Sequence, residues 1–235
     1  MMEEPVNSKG QTLGEFLEAY DENRYRRPSV TVDMAVFTLD PNREDGGLCV
    51  LLIRRGNHPY IGQWALPGGF VEMDEDLPAA AARELREETG LTGCTLRQFG
   101  AFGAVDRDPR TRVITIGYYA LAPRGSLRPE AADDAADAAL FGVRLERVGA
   151  GPEGFDYGLT LGGSCVVAAR GKLGFDGLDE TMLPVKGGEL ASDHAHLLFS
   201  ALHALSRLPR ENAVWELAGR KENLLQARRA LDELF

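Results

Sequence analysis

Cysteine is scarce in this sequence, basic residues are outnumbered, and long apolar runs are missing. The three cysteines, Cys49, Cys94 and Cys165, are odd in number and scattered without a CxxC pair. We therefore expect free thiols in a reducing compartment rather than a disulfide framework or a zinc site. No apolar run is long enough to span a bilayer, and the acidic start MMEEPVNSKG does not have the form of a signal peptide. These features predict a cytoplasmic protein with no membrane partner.

The charge balance is acidic, because 36 Asp and Glu residues against 26 Lys and Arg residues give a net charge of -10. Such a charge argues against broad electrostatic binding to nucleic acid or to an anionic membrane surface. It still permits phosphorylated substrates where a metal ion mediates the contact. The 235 residues, 44% of them hydrophobic, are enough for one large domain, or for one domain with a small appendage.

Alternating, β-branched and apolar stretches predict the strands of a sheet. The predicted strands cover residues 29–40, 48–55, 95–105 and 112–122. Thr12 and Glu15 have capping-box spacing and predict a short N-terminal helix. A mid-chain helix is expected between Asp76, a suitable N-cap, and Gly90, a typical C-terminal stop. Strands interrupted by a single helix predict an α/β protein with a mixed sheet between helices on both faces.

The C-terminal part of the chain gives weaker signals. Residues 140–148 fit either an edge strand or a turn, and residues 155–177 fit a hairpin with a Gly-rich turn. Asp193 is expected to open a helix that ends before Pro209. The segment that follows Pro209 contains one more predicted amphipathic helix.

The stretch RELREETG, residues 83–90, places Glu84, Glu87 and Glu88 at spacings of three and four. On a helix these spacings put three carboxylates on one side, where they repel one another. A divalent cation would turn this repulsion into attraction, because carboxylates are hard oxygen ligands for Mg²⁺ or Mn²⁺. The alternative is an exposed helix face with Arg–Glu pairs, as most short charged helices have.

A longer pattern, which begins upstream of these glutamates and includes them, distinguishes a metal site from an exposed charged helix. Its fixed positions are Gly69, Glu75, Arg83, Glu84, Leu85, Glu87, Glu88, Gly90 and Leu91. In type and spacing they match every specified position of the Nudix box, which the segment therefore resembles. The resemblance implies a Nudix fold, an α/β/α sandwich with a mixed sheet. It also implies Mg²⁺- or Mn²⁺-dependent hydrolysis of a nucleoside diphosphate linked to another group.

The resemblance also implies roles for individual residues. The metal-binding positions of the family correspond to Glu84, Glu87 and Glu88, and to the backbone carbonyl of Gly69. Glu75 corresponds to a further position, whose role in metal binding varies within the family. Arg83 lies four residues before Glu87 and is expected to pair with it and fix carboxylate rotamers. The catalytic set is therefore Glu84, Arg83 and Glu87, and the proton would go to Glu84 or to a carboxylate of a later loop.

The flanks of the box resemble bacterial ADP-ribose pyrophosphatases, which split ADP-ribose into AMP and ribose 5-phosphate. Pro109 lies near a proline position that is associated with this specificity. Five residues are candidates for substrate contacts: Arg55, His58, Asp106, Arg110 and Arg112. For each of them an ordinary role, as a strand-end charge, a loop residue or a turn cap, is the alternative. His194 and His196 are two residues apart on a predicted helix and are not expected to form a metal site.

Transcriptional regulators of the same branch sense ADP-ribose and carry a C-terminal winged helix, and the last segment resembles the entry to that module. We expect an enzyme rather than a regulator, because the box is complete and the net charge disfavours DNA. Other nucleoside diphosphate derivatives, such as nucleotide sugars or dinucleotides, are alternative substrates. The resemblance implies a homodimer. The predicted organisation is an N-terminal helical extension over 1–27, a Nudix domain over 28–208 and a helical tail over 209–235.

Overall fold

The computed structural model describes residues 4–40, 42, 47–127, 135–151, 154–162, 167–174 and 190–234. Within these residues one mixed sheet contains nine strands. The strands are β1 (Ser29–Leu39), β2 (Leu48–Arg55), β3 (Trp64–Ala65), β4 (Gly68–Phe70), β5 (Arg97–Phe102), β6 (Val113–Leu121), β7 (Ala135–Gly151), β8 (Gly154–Gly162) and β9 (Val167–Gly174). The helices are α1 (Leu13–Glu18), α2 (Leu77–Thr89), α3 (His194–Arg207), α4 (Arg210–Ala218) and α5 (Leu224–Leu234).

The strands lie in the order β5-β6-β1-β2-β7-β8-β9, with β3 paired to β2 and β4 paired to β1. The β1–β6 pair is parallel and the other named pairs are antiparallel. The predicted hairpin corresponds to β8 and β9. Residues 140–148, however, are neither a turn nor an edge strand, because β7 pairs with β2 on one side and with β8 on the other. Phe141, fully buried against Trp64, helps to anchor this interior strand.

Two apolar layers cover the two faces of the sheet, as alternation along β1 requires. Val32, Met34 and Val36 pack with the buried side of α2. Ala35 and Phe37 point to the other face and join the cluster of α3, α4 and α5. The predicted α/β/α sandwich with a mixed sheet is therefore confirmed.

Helix α2 has the predicted boundaries. Pro78 lies in its first turn, and Gly90 ends it in the left-handed conformation that glycine adopts without strain. Asp76 occupies the N-cap position, but its side chain makes no capping hydrogen bond. The buried side consists of Ala80, Ala81 and Leu85, while Leu77 is half-buried.

The segment after Pro209 differs from the prediction, since its described residues form two α-helices rather than one. Gly219, with φ of 63°, ends α4, and a single 3-10 turn over Lys221–Asn223 leads into α5. The apolar side chains of both helices join the core cluster of β1, β2 and α3. Arg97 on β5 donates two hydrogen bonds to Glu216 on α4, at 2.8 and 2.5 Å. The tail is thus packed on the sheet, while the boundary at residue 209 stays a prediction.

The N-terminal helix α1 has the predicted capping box between Thr12 and Glu15, and none of its residues is buried. Cys49 is buried, Cys94 is half-buried, and neither forms a disulfide among the described residues. Cys165 lies outside the described residues. Among the helices described, none combines the length and the apolar character needed to cross a bilayer.

Two leucines of α5 test whether the tail belongs to the folded core. Leu231 is 1% exposed and Leu225 is 60% exposed. We expect Leu231→Ala to lower the free energy of unfolding by about 3 kcal/mol, because it leaves a cavity between α5 and the sheet. Leu225→Ala, the matched control on the same helix, should cost less than about 0.5 kcal/mol. Chemical denaturation measures both, and equal effects would show that α5 does not pack as described.

Candidate active site

A cavity of about 450 Å³ opens at the end of the sheet where β1 and β6 begin and β2 ends, between α2 and the start of α3. Six parts of the chain line it: β1, the end of β2 with the loop after it, the β4 segment, α2, the loop before β6 and the start of α3. Of the residues expected from the box, Gly69, Arg83, Glu84 and Glu88 lie on its wall. A cavity of this size is typical of a small-molecule site.

Close backbone approach explains the two glycines of β4. Gly68 and Gly69 pair with Asp33 and Val32 of β1. A Cβ atom on Gly68 would lie 2.1 Å from the Val32 carbonyl oxygen, and one on Gly69 would lie 2.2 Å from a Glu84 carboxylate oxygen. Side chains at these positions would displace the strand or the carboxylate, so glycine is required.

Glu84 and Glu88 place their carboxylates against this glycine backbone. Glu88 accepts a hydrogen bond of 2.7 Å from the Gly68 amide. Burial, and then repulsion from Glu84 and Asp33, raises the pKa of Glu88 to about 8. Burial also raises the pKa of Glu84, although its neighbour Arg83 opposes the shift. The surrounding protein thus stabilises the ionised form of these two carboxylates less well than water does.

Arg83 holds the outer side of the glutamate cluster together. Its guanidinium donates to Glu75 at 2.6 and 3.0 Å, to Glu84 at 2.8 Å and to Glu87 at 3.1 Å. The predicted contact between Arg83 and Glu87 is therefore present. These bonds, that to Glu75 foremost, raise the pKa of Arg83, so it stays charged. Glu87 remains 44% exposed and, like Glu75, lies outside the cavity wall.

The donors present fit a hard divalent cation, although within the described residues no group of three Asp, Glu, His or Cys side chains is already arranged around one point. Glu84 and Glu88 are half-buried residues whose carboxyl pKa values are raised mainly by burial, so a cation beside them would favour their ionised form. The Gly69 backbone adjoins Glu84, with no side chain between them. Carboxylate and carbonyl oxygens are the ligands that Mg²⁺ and Mn²⁺ prefer.

A buried polar network forms the back wall of the cavity, and sequence reasoning did not identify it. Asp33 accepts a hydrogen bond of 2.6 Å from the Thr115 hydroxyl. Arg107 is almost fully buried and donates to both carboxylate oxygens of Asp193, at 3.0 and 2.8 Å, with Asp33 at 3.6 Å. Asp193 therefore binds Arg107 instead of capping α3 through its side chain. His194, the next residue, is buried beside Asp33.

One signal in the sequence could have identified part of this network. Asp33 is a single acidic residue within the apolar stretch SVTVDMAVF, where an unpaired charge would be costly. Nothing local marks Arg107, because it lies in the polar loop DRDPRT among other charged residues.

The five residues predicted to contact substrate separate into two groups. Arg55, His58 and Arg110 line the cavity. Arg110 donates to both carboxylate oxygens of Asp108, and its guanidinium lies 5.5 Å from the centre of the Phe70 ring. Asp106 and Arg112 do not line the cavity, and Arg112 donates to the Ala104 carbonyl instead. Pro109, which precedes Arg110 in the same loop, is exposed.

Two solved structures are similar to this chain. A MutT/nudix family protein from Enterococcus faecalis is 30% identical, with a TM-score of 0.63 over 83% of this chain and 70% of that one. The Nudix domain of Shewanella oneidensis NrtR, complexed with ADP ribose, is 26% identical, with a TM-score of 0.56 over 83% of this chain and 99% of that one.

Two curated proteins are also similar. The ADPR responsive transcriptional repressor NtrR of Acinetobacter baylyi is 44% identical over 108 residues, which are 45% of this chain and 42% of that protein. The ADP-ribose pyrophosphatase of Methanocaldococcus jannaschii is 40% identical over 117 residues, 50% of this chain and 63% of that protein. The chain thus matches less than half of the repressor and under two thirds of the pyrophosphatase. The NUDIX domain model matches residues 31–153, just over half of the chain, and the chain therefore belongs to the Nudix family.

Proposed function

We propose that this chain hydrolyses the pyrophosphate bond of a nucleoside diphosphate derivative with the help of Mg²⁺ or Mn²⁺, and that the substrate is ADP-ribose, which yields AMP and ribose 5-phosphate. One observation carries the proposal: Glu84 and Glu88 meet the Gly68–Gly69 backbone on the wall of a cavity that also contains arginine side chains. Cation-binding carboxylates beside anion-binding guanidinium groups suit a phosphate anhydride.

Glu84, Glu88 and the Gly69 carbonyl would hold the metal, with Glu87 and Glu75 nearby on the other side of Arg83. The metal supplies Lewis-acid activation of the phosphoryl group and of the attacking water. Arg83, also on the cavity wall, donates a hydrogen bond to the carboxylate of Glu84 and so holds it in place.

Of the two predicted sources of the general base, the later loop is the weaker one. Asp106 lies outside the cavity wall. Asp108 lines the cavity, but its hydrogen bonds from Arg110 lower its pKa and make it a poor proton acceptor. Glu84 lies on the wall and therefore remains the proposed base.

The proposal of ADP-ribose rests on the relatives. An ADP-ribose pyrophosphatase is 40% identical across half of this chain. The Nudix domain of NrtR, with a similar fold, has been solved as a complex with ADP ribose. Nucleotide sugars and dinucleotides are the alternatives among pyrophosphate substrates. A cytoplasmic location and a homodimer complete the proposal, and they rest on the free thiols and on the family resemblance.

A second function, ADP-ribose-responsive binding of DNA, is favoured by one observation. The repressor from Acinetobacter baylyi is 44% identical to this chain over 108 residues. The hydrolase remains our preferred function, because the box is complete and two of its glutamates, Glu84 and Glu88, line the cavity.

Replacement of the cavity glutamates tests the hydrolase. We expect Glu84→Gln and Glu88→Gln each to reduce AMP release from ADP-ribose with Mg²⁺ by about a hundredfold or more, because each removes a negative charge needed for the cation. Glu211→Gln, the same change on the exposed surface of α4, is the control. Wild-type rates in both cavity variants would refute the site assignment.

Arg110 and Arg112 form a matched pair, because both were candidates for substrate contact and Arg110 alone of the two lines the cavity. We expect Arg110→Ala to raise KM for ADP-ribose about tenfold through loss of a charged hydrogen bond. Arg112→Ala should leave KM within about twofold, since surface substitutions have small effects. Initial rates over a range of substrate concentrations measure both. A larger effect of Arg112→Ala would contradict this placement.

A gel-shift experiment separates hydrolase from regulator. We expect no retardation of a pool of short DNA duplexes at low salt, where phosphate contacts are strongest, because the chain is acidic. A retarded band that ADP-ribose releases would support the regulator and contradict this expectation. Bovine serum albumin, also an acidic protein, controls for nonspecific retention.

A further inference from the structure

His194 is a buried side chain of the cavity wall that the proposed reaction does not use. It is the first residue of α3, and its ring contacts the backbone of a distant loop. The Leu66 amide donates a hydrogen bond of 2.9 Å to its Nδ1 atom. Burial lowers the pKa of His194, so the ring is neutral. Because Nδ1 accepts a hydrogen bond, the ring proton is on Nε2, which lies 3.8 Å from an Asp33 carboxylate oxygen.

The loop that His194 contacts leads directly into the glycines of β4. Leu66 and Pro67 of this loop, and Gly68 at the start of β4, are each hydrogen-bonded to a different element. The Leu66 amide donates to His194 of α3. The Pro67 carbonyl accepts from the Met34 amide of β1 at 2.8 Å. The Gly68 amide donates to Glu88 of α2. The loop therefore takes its position from elements on both faces of the sheet.

We propose that His194 is a positioning residue: its Nδ1 atom holds the Leu66 amide and so fixes the Gly68–Gly69 backbone against which Glu84 and Glu88 lie. The functional part of this inference rests on the proposed function, since the same backbone and carboxylates would hold the metal. His194 touches neither the metal nor the reacting atoms in this role. It acts on Gly68 through the loop, by way of Leu66, which is two residues earlier in the chain.

The geometry explains why histidine serves here. The Leu66 amide is buried, and a buried donor without an acceptor is strongly unfavourable. A flat, rigid imidazole presents an acceptor at one nitrogen and its proton at the other, toward Asp33. Removal of the acceptor would force the Leu66 amide to find another partner, and the loop would move with it.

Two amide substitutions of different length test the roles of the two ring nitrogens separately. In His194→Asn, the amide oxygen can take the place of Nδ1 and keep the bond from Leu66. In His194→Gln, the longer side chain puts its amide near the place of Nε2 and leaves the Leu66 amide without an acceptor. His203→Gln is the matched control, because His203 is on the same helix and does not line the cavity.

Two measurements are made without substrate on the full chain. Hydrogen exchange of a peptide spanning residues 63–70 reports the Leu66 and Gly68 amides, and Mn²⁺ titration reports the affinity of the carboxylates. We expect His194→Gln to lose the protection of these amides and to bind Mn²⁺ about tenfold more weakly, as outer-shell changes commonly do. Wild-type behaviour is expected of His194→Asn and His203→Gln. The kcat for ADP-ribose should follow the Mn²⁺ affinity, with KM little changed.

Several results would overturn the assignment. Wild-type exchange and Mn²⁺ affinity in His194→Gln would show that the Nδ1 bond is not needed. Equal losses in both variants would indicate packing alone, and a larger loss in His194→Asn would transfer the role to Nε2 and Asp33. If His194→Gln does not fold, loss of protection in His194→Asn still refutes the proposal. A wild-type protein that does not hydrolyse ADP-ribose, but shows the expected exchange and Mn²⁺ pattern, would refute the proposed function alone.

Discussion

Burial of like-charged carboxylates against a glycine backbone is the constraint on which this site depends. Glu84 and Glu88 lie against Gly68 and Gly69, and Asp33 adds a third negative charge beside them. Their repulsion would weaken α2 and the sheet edge if nothing opposed it. Arg83 offsets part of this repulsion through its ion pairs with Glu75, Glu84 and Glu87. It forms no such pair with Glu88, which faces the cavity. The fold thus stabilises the helix without removing the charge that would attract a cation.

The sandwich brings elements from both of its faces to this point. Helix α2, on one face, supplies the glutamates, and α3, on the other, supplies His194. Strand β1 runs between these layers and supplies Asp33 while it pairs with β4. Arg107 and Asp193 then join the loop before β6 to the start of α3. The site therefore depends on correct packing of both layers, whereas the box itself requires one helix and the loop before it.

The contrast between the local box and the long-range packing around it explains what could be predicted from the sequence. The box residues lie within 23 consecutive positions, Gly69 to Leu91, so helical spacing predicted one side for Glu84, Glu87 and Glu88, and the resemblance to the Nudix box added Gly69. The network of Asp33, Arg107 and His194 joins residues that are far apart in the chain, and no local pattern indicates which polar side chains will meet. Helix α4 was missed for another reason: Gly219 ends it after nine residues, and so short a helix gives a weak periodic signal. Tertiary contact with the sheet, rather than periodicity, determines that helix.

The charges of the tail bear on the choice between hydrolase and regulator. Between residues 210 and 234 there are five basic residues, Arg210, Arg220, Lys221, Arg228 and Arg229, and five acidic ones, Glu211, Glu216, Glu222, Asp232 and Glu233. Three of the bases pair with acids of the same tail: Arg228 with Glu211, Arg210 with Asp232, and Arg220 with Glu222. DNA binding requires unpaired positive charge that can replace counterions along the phosphates. A neutral, internally paired surface supplies little of it, while the apolar sides of α4 and α5 are already used against the sheet. The physical chemistry of the described tail therefore favours a structural role for α4 and α5 over a role in DNA binding.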